Sequence, residues 1–152
     1  MNSGTILNSE LSHAIATMGH GDIMIVCDAG FPIPRSAWRV DLALVQDVPD
    51  LETVLTAVNR GFIAEKVAYA AEMAENNPPL LKNVKRIFAN SEHFTIPHQQ
   101  ILTEMAIKAK VIVRTGAFDP WGNILLYSGV DVPKWFSKPG TKVPEYYADR
   151  MK

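Results

Sequence analysis

Five consecutive apolar residues, Ile23-Met24-Ile25-Val26-Cys27, stand between turn formers: Gly19, Gly21 and Asp22 before them, Asp28, Gly30, Pro32 and Pro34 after them. A run this short, apolar at every position and bounded in this way, reads as a buried strand. Runs of similar character recur at Lys66 to Ala71, at Phe94-Thr95-Ile96, at Val111-Ile112-Val113 and at Asn123 to Tyr127, and Val40 to Val45 reads as a buried strand or a turn.

Between these runs the apolar residues fall at helical spacing. Asn8 or Ser9 can cap a helix that carries Leu11, Ala14, Ile15 and Met18 on one face, with Gly19 as its stop. Asp50 can cap a second helix whose stripe is Leu51, Val54, Leu55 and Val58, ending at Gly61. Glu72-Met73 has helical character, Asn76-Asn77-Pro78-Pro79 is a break, Leu80 to Phe88 is a helix, and Pro97 opens another through about Ala109. Strands alternating with helices predict an α/β fold: a single domain over residues 1–130 with a largely parallel central sheet flanked by helices. Beyond Val130 the chain is rich in proline, charge and aromatics without a clean period. Residues 131–152 therefore read as an extension that packs on the domain or on a neighbouring subunit.

A chain of 152 residues can bury a substantial core without staples, and 47% apolar with 20% charged residues is ordinary globular composition. A net charge of −1 gives no electrostatic case for nucleic acid or an anionic membrane as partner. Nowhere do eighteen apolar residues run together, and the first residues lack a basic stretch followed by an apolar core, so a cytoplasmic protein is expected. The single cysteine, Cys27, reads as a small core residue.

In an open α/β sheet ligands gather at the carboxyl ends of strands. Asp28 with the loop to Pro34, and Arg114 with the loop from Thr115 to Asn123, both occupy such ends, which predicts a polar pocket between them. Asp28 can accept two hydrogen bonds from neighbouring sugar hydroxyls, or cap a turn. Trp121-Gly122-Asn123 offers a flat apolar face, an indole donor and an amide, or else a tight turn with Trp121 as a core plug. His98, just after Pro97, is a ligand contact or a first-turn surface residue. His20, between two glycines, can exchange a proton near neutrality, or satisfy the carbonyls of a helix end. His20 and Asp28 bracket one strand and are unlike a tight dyad within one chain. Arg35 and Arg39 flank Trp38 and suit an anion or an ion pair between subunits, while His13 and His93 read as surface residues. With no histidine pair at helical spacing, glycine-rich phosphate loop or serine elbow, neither metal nor cofactor is expected.

Several of these segments together resemble the D-ribose pyranase and L-fucose mutarotase family. They are Gly4-Thr5-Ile6-Leu7-Asn8, Met18-Gly19-His20-Gly21-Asp22, Cys27 to Pro34, Arg39 to Leu44, Val48-Pro49, Arg114-Thr115-Gly116 and Asn123 to Leu126. The resemblance spans Met1 to about Val130. It implies a cofactor-free isomerase that interconverts ring forms or anomers of a free monosaccharide, with the histidine at His20 as proton donor. It further implies that Asp28, His98, Trp121, Gly122 and Asn123 bind the sugar. It also implies a ring-shaped homo-oligomer, typically a decamer of stacked pentamers with sites near subunit boundaries, where His20 of one chain can face Asp28 of another. The family usually has tyrosine where this chain has Trp121, which keeps a stacking surface and loses a hydroxyl. Cys27 to Pro34 and Arg39 to Leu44 look more like the ribose type, Met18 to Asp22 and Gly122 more like the fucose type. D-ribopyranose to D-ribofuranose conversion is the first expectation. An L-fucose-type mutarotase, or a non-catalytic sugar-binding or regulatory protein, is the alternative.

Overall fold

A computed structural model describes residues 6–151; Gly4 and Thr5 of the resemblance lie outside the described residues. The elements in chain order are α1 (Ser9–Ala16), β1 (Ile23–Cys27), β2 (Arg39–Asp41), α2 (Leu51–Gly61), β3 (Ala64–Ala70), α3 (Met73–Asn76), α4 (Pro78–Ile87) and β4 (Glu92–Ile96). A helical stretch follows, made of α5 (His98–Gln100), a π-helical turn (Ile101–Met105) and α6 (Ala106–Lys108). Then come β5 (Val111–Arg114), β6 (Ile124–Ser128), α7 (Val132–Trp135) and a 3₁₀ helix (Glu145–Met151).

The six strands form one sheet in the order β2-β5-β1-β6-β3-β4. β1, β2 and β5 pair in parallel, as do β3 and β4; β6 alone runs antiparallel to both of its neighbours. The architecture is the α/β fold with a mostly parallel sheet that the alternation predicts. Met24, Ile25, Val26 and Cys27 are all fully buried. Successive side chains of a strand point to opposite faces, so both faces of the sheet are covered at β1. No helix among the described residues is long and apolar enough to cross a membrane.

The helix caps are local and legible. Asn8 Oδ1 accepts the Leu11 N–H at 2.8 Å, and Asp50 Oδ1 accepts the Thr53 N–H at 2.7 Å, each taking up an orphan donor of a first turn. Leu51, Val54, Leu55 and Val58 are the buried stripe of α2. Elsewhere the elements differ from expectation for identifiable reasons. α1 stops at Ala16, before Met18, because the Thr17 N–H and hydroxyl both turn back onto the Ala14 carbonyl, at 3.2 and 2.8 Å. β2 covers three residues rather than the whole of Val40 to Val45. Asp41 Oδ1 accepts the Ala43 N–H at 3.1 Å and turns the chain away, leaving Leu44 and Val45 exposed. α4 starts at Pro78, inside the expected break, since Asn77 Oδ1 caps Leu80 N at 3.3 Å and proline lacks the donor that would otherwise need a partner. His93 is half-buried, with Nε2 2.8 Å from the Phe88 carbonyl, rather than a free surface residue.

Candidate active site

With β6 reversed, one edge of the sheet collects the carboxyl ends of β1 to β5 together with the start of β6. Asp28, Arg114, His98 and Asn123 all stand there by their position in the chain. The loop after β1 and the loop after β5 are stitched together. The Ala29 N–H donates to the Ala117 carbonyl at 2.9 Å, Arg114 Nε to the Ala29 carbonyl at 3.0 Å, and Thr115 Oγ1 to the Cys27 carbonyl at 2.8 Å. Arg114 also holds both Asp41 oxygens, at 3.2 and 3.3 Å, so its guanidinium is committed to structure.

Four of the candidate side chains gather at this edge. Asn123, only 2% exposed, accepts the Asp28 N–H on Oδ1 at 3.3 Å, and Asp28 Oδ1 accepts the Gly30 N–H at 2.9 Å. Burial pushes the Asp28 carboxyl above its ordinary value; the Gly30 N–H, the Asn123 amide and the nearby His98 oppose that rise without cancelling it. The His98 ring meets Trp121 edge-on, with centroids 6.4 Å apart at 62°. The His98 N–H donates to the Glu72 carboxylate at 3.1 Å, which anchors the backbone. Its ring Nδ1 is buried with no hydrogen-bond partner among the described residues. A buried polar atom of this kind is costly, and Nδ1 of His93 on β4 shares that state.

Trp121 adopts φ 57°, a left-handed conformation that a bulky side chain rarely takes. Gly122 makes the turn feasible: its N–H donates to the Asp119 carbonyl at 3.0 Å, and a Cβ here would stand 2.7 Å from that oxygen. Gly122 thus supplies space, and its own donor is spent inside the turn. Sequence reasoning missed Glu72 and Asp119. The half-buried Asp119 is held above its ordinary pKa by burial and by the carboxylates of Asp47, Asp50 and Asp28. Neither residue belongs to a motif; only the strand-end rule, applied to β3 and β5, points at their loops.

His20 is elsewhere. It precedes β1, so it sits at the opposite edge, beside the starts of β3 and β4 and the end of β6. There a cleft of about 390 Å³ is lined by His20, Glu65, Lys66, Phe94 and Tyr127. His20 Nε2 lies 2.8 Å from Glu65 Oε2, with side chains 44% and 15% exposed respectively. Arg150, from the carboxyl-terminal 3₁₀ helix, reaches Glu65 Oε1 at 2.6 Å. The Arg150 contact, with the smaller help of His20, lowers the Glu65 carboxyl to about 2. The described residues therefore hold two separate candidate clusters: Asp28, His98, Trp121 and Asn123 at one edge, and the His20–Glu65 pair at the far edge.

Comparison with known proteins follows the same lines. Residues 1–131 match the model of the RbsD / FucU transport protein family. The chain is 57% identical over 150 residues to "D-ribose pyranase 2" of Rubrobacter xylanophilus, covering 99% of this chain and 97% of that one. It is 48% identical over 151 residues to "D-ribose pyranase 1" of Streptomyces griseus, covering 99% and 100%. Among solved structures, Bacillus subtilis RbsD complexed with D-ribose superposes with a TM-score of 0.81 at 32% identity, over 86% of this chain and 98% of that one.

Proposed function

This chain belongs to the RbsD / FucU transport protein family, and on that premise we propose that it is a D-ribose pyranase, a cofactor-independent isomerase that interconverts β-D-ribopyranose and β-D-ribofuranose. The observation that carries the reading is the unspent polar capacity of the carboxyl edge. The Asp28 carboxylate, with only Oδ1 engaged by the Gly30 N–H, and the His98 ring lie together with Trp121, whose indole offers a stacking face. That set suits a small ring studded with hydroxyls.

The reaction changes no oxidation state. His20, as imidazolium, gives its proton to the ring oxygen while the bond from that oxygen to the anomeric carbon breaks. The anomeric hydroxyl loses its proton to water, and the open aldehyde results. Asp28, His98 and Asn123 hold the chain so that the neighbouring hydroxyl adds to the carbonyl carbon; that hydroxyl returns its proton to His20, and the carbonyl oxygen takes back the proton that water had received as the furanose closes. One positioned acid supplies on the order of 10² to 10⁴ in rate, enough for a conversion that water alone already permits.

His20 and Asp28 are separated by the length of β1, about 17 Å. A site using both therefore needs two copies of the chain, in keeping with the ring-shaped decamer that the resemblance implies. The loops over residues 42–48 and 115–118, next to the Asp28 cluster, expose Leu44, Val45, Val48 and Phe118, an apolar surface suited to a neighbouring copy. The cytoplasmic setting expected from the sequence belongs to the same reading.

Proton NMR exchange spectroscopy on D-ribose tests it. The protein should accelerate exchange between pyranose and furanose signals, and His20→Ala should remove most of that acceleration. Full exchange in His20→Ala would refute the role of His20. Faster exchange of L-fucose anomers than of ribose forms would move the assignment to the mutarotase type, and binding without acceleration would make this a sugar-binding protein.

A further inference from the structure

We infer that Glu65 and Arg150 form a two-residue clamp that positions and tunes His20, so that the carboxyl-terminal extension takes part in the chemistry of the amino-terminal histidine. The inference rests on the proton-donor role proposed for His20.

Three features of the fold build the clamp. The register of β3 against β6 shifts between Ala64 and Lys66, so Glu65 is the extra residue of a β-bulge, a device that re-aims a side chain out of the regular alternation. Gly129, whose N–H donates to the Ile63 carbonyl, packs against it: a Cβ there would lie 2.8 Å from Glu65 Cβ, so the residue next to the bulge has to be bare. The chain after Val130 then folds back. Val132 is 1% exposed, Asp131 caps α7 through Lys134 N at 3.2 Å, and the 3₁₀ helix carries Arg150 over the Tyr147 ring at 5.5 Å and onto Glu65. The two oxygens of Glu65 are thus divided, Oε2 to His20 and Oε1 to Arg150.

The division has a chemical consequence. Glu65 fixes the ring of His20 and sets a carboxylate oxygen 2.8 Å from its Nε2. Arg150 keeps Glu65 ionised into acid, shares its charge and adds a positive charge behind it. Other charged or titratable groups around the pair are Lys66 on β3, Glu92 on β4, Tyr127 on β6, Asp131 before α7 and Asp149 beside Arg150; Lys66 and Glu92 pair with each other at 3.5 Å, and Asp131 with Lys134 at 2.8 Å. Asp22, two residues from His20, is held by Lys110 at 2.6 Å. The family match ends at residue 131, so Arg150 lies outside the matched domain.

The experiment uses the full chain and two readouts: the pH profile of ribose exchange, and the NMR titration of the His20 ring, assigned by its loss in His20→Ala. Arg150→Met should move the His20 midpoint and the basic limb of the profile to higher pH, and Glu65→Gln should move both to lower pH. On the basic limb the two variants then fall on opposite sides of the parent rate by about threefold, as half a pH unit requires. KM should stay within about twofold, because the Asp28 cluster proposed to hold the sugar is untouched. Arg150→Lys should keep the parent midpoint. Shifts in one common direction, no shift, or a Lys variant that behaves like Met would overturn the clamp. The ring titration reads it even if His20→Ala retains activity, so a failure of the proton-donor role is told apart from a failure of the clamp.

Discussion

Asp28 shows what the site costs at the scale of one residue. Its folded pKa lies above the unfolded one, so its stabilising contribution is complete below about pH 3.8 and is lost as the pH rises through the folded value. At neutral pH the ionised, desolvated carboxylate weakens the fold. Asp28→Asn has no charge to desolvate and keeps an acceptor for the Gly30 N–H. Urea unfolding should find it as stable as the parent at pH 3 and equally or more stable at pH 7, while calorimetry finds ribose affinity reduced about tenfold or more, the worth of a hydrogen bond to a charged group. A loss of stability confined to neutral pH would contradict this account. Trp121, strained at φ 57° beside the unpartnered His98 Nδ1, is a second departure from local preference in the same cluster.

Among the elements, α2 is the most legible in sequence because its signals are local: a capping Asp50, a stripe at helical spacing, and Gly61 at the end. Asp50→Ala should cost about 1 kcal/mol in urea unfolding, the usual worth of a side-chain cap, with the midpoint moved and the slope unchanged. The strand-end rule likewise foresees that the loops after β1 and β5 meet, because it depends only on strand direction. The parts that escape a sequence reading depend on groups that no local pattern joins. β2 is cut short by the side chain of its own last residue, Asp41. The expected helix after Pro97 is π-helical over Ile101–Met105, where the Ala106 N–H reaches back to the Ile101 carbonyl. The partner of His20 is on a bulge forty-five residues away, and the partner of that partner comes from the extension. Neither carries a motif, and only the folded sheet brings them together.

The whole molecule sets His20 and Asp28 at opposite ends of β1, and this makes the proposed two-copy site testable. His20→Ala and Asp28→Asn chains should each be nearly inactive alone. After unfolding and joint refolding in equal amounts, about a quarter of sites formed between copies would pair an intact His20 with an intact Asp28, and exchange should return to roughly that fraction. No recovery, with mixed assemblies present, would mean that each chain works alone. The reversed strand β6 gives this arrangement its dimension. It begins beside Asn123 and ends at Ser128, against the cleft of His20. Held by hydrogen bonds along both sides, it acts as a ruler whose five residues fix how far apart the Asn123 edge and the His20 cleft of one molecule lie. In the proposed two-copy site, the loops around either end can change with the sugar, while lengthening or shortening β6 would put His20 of one copy out of step with Asp28 of the next.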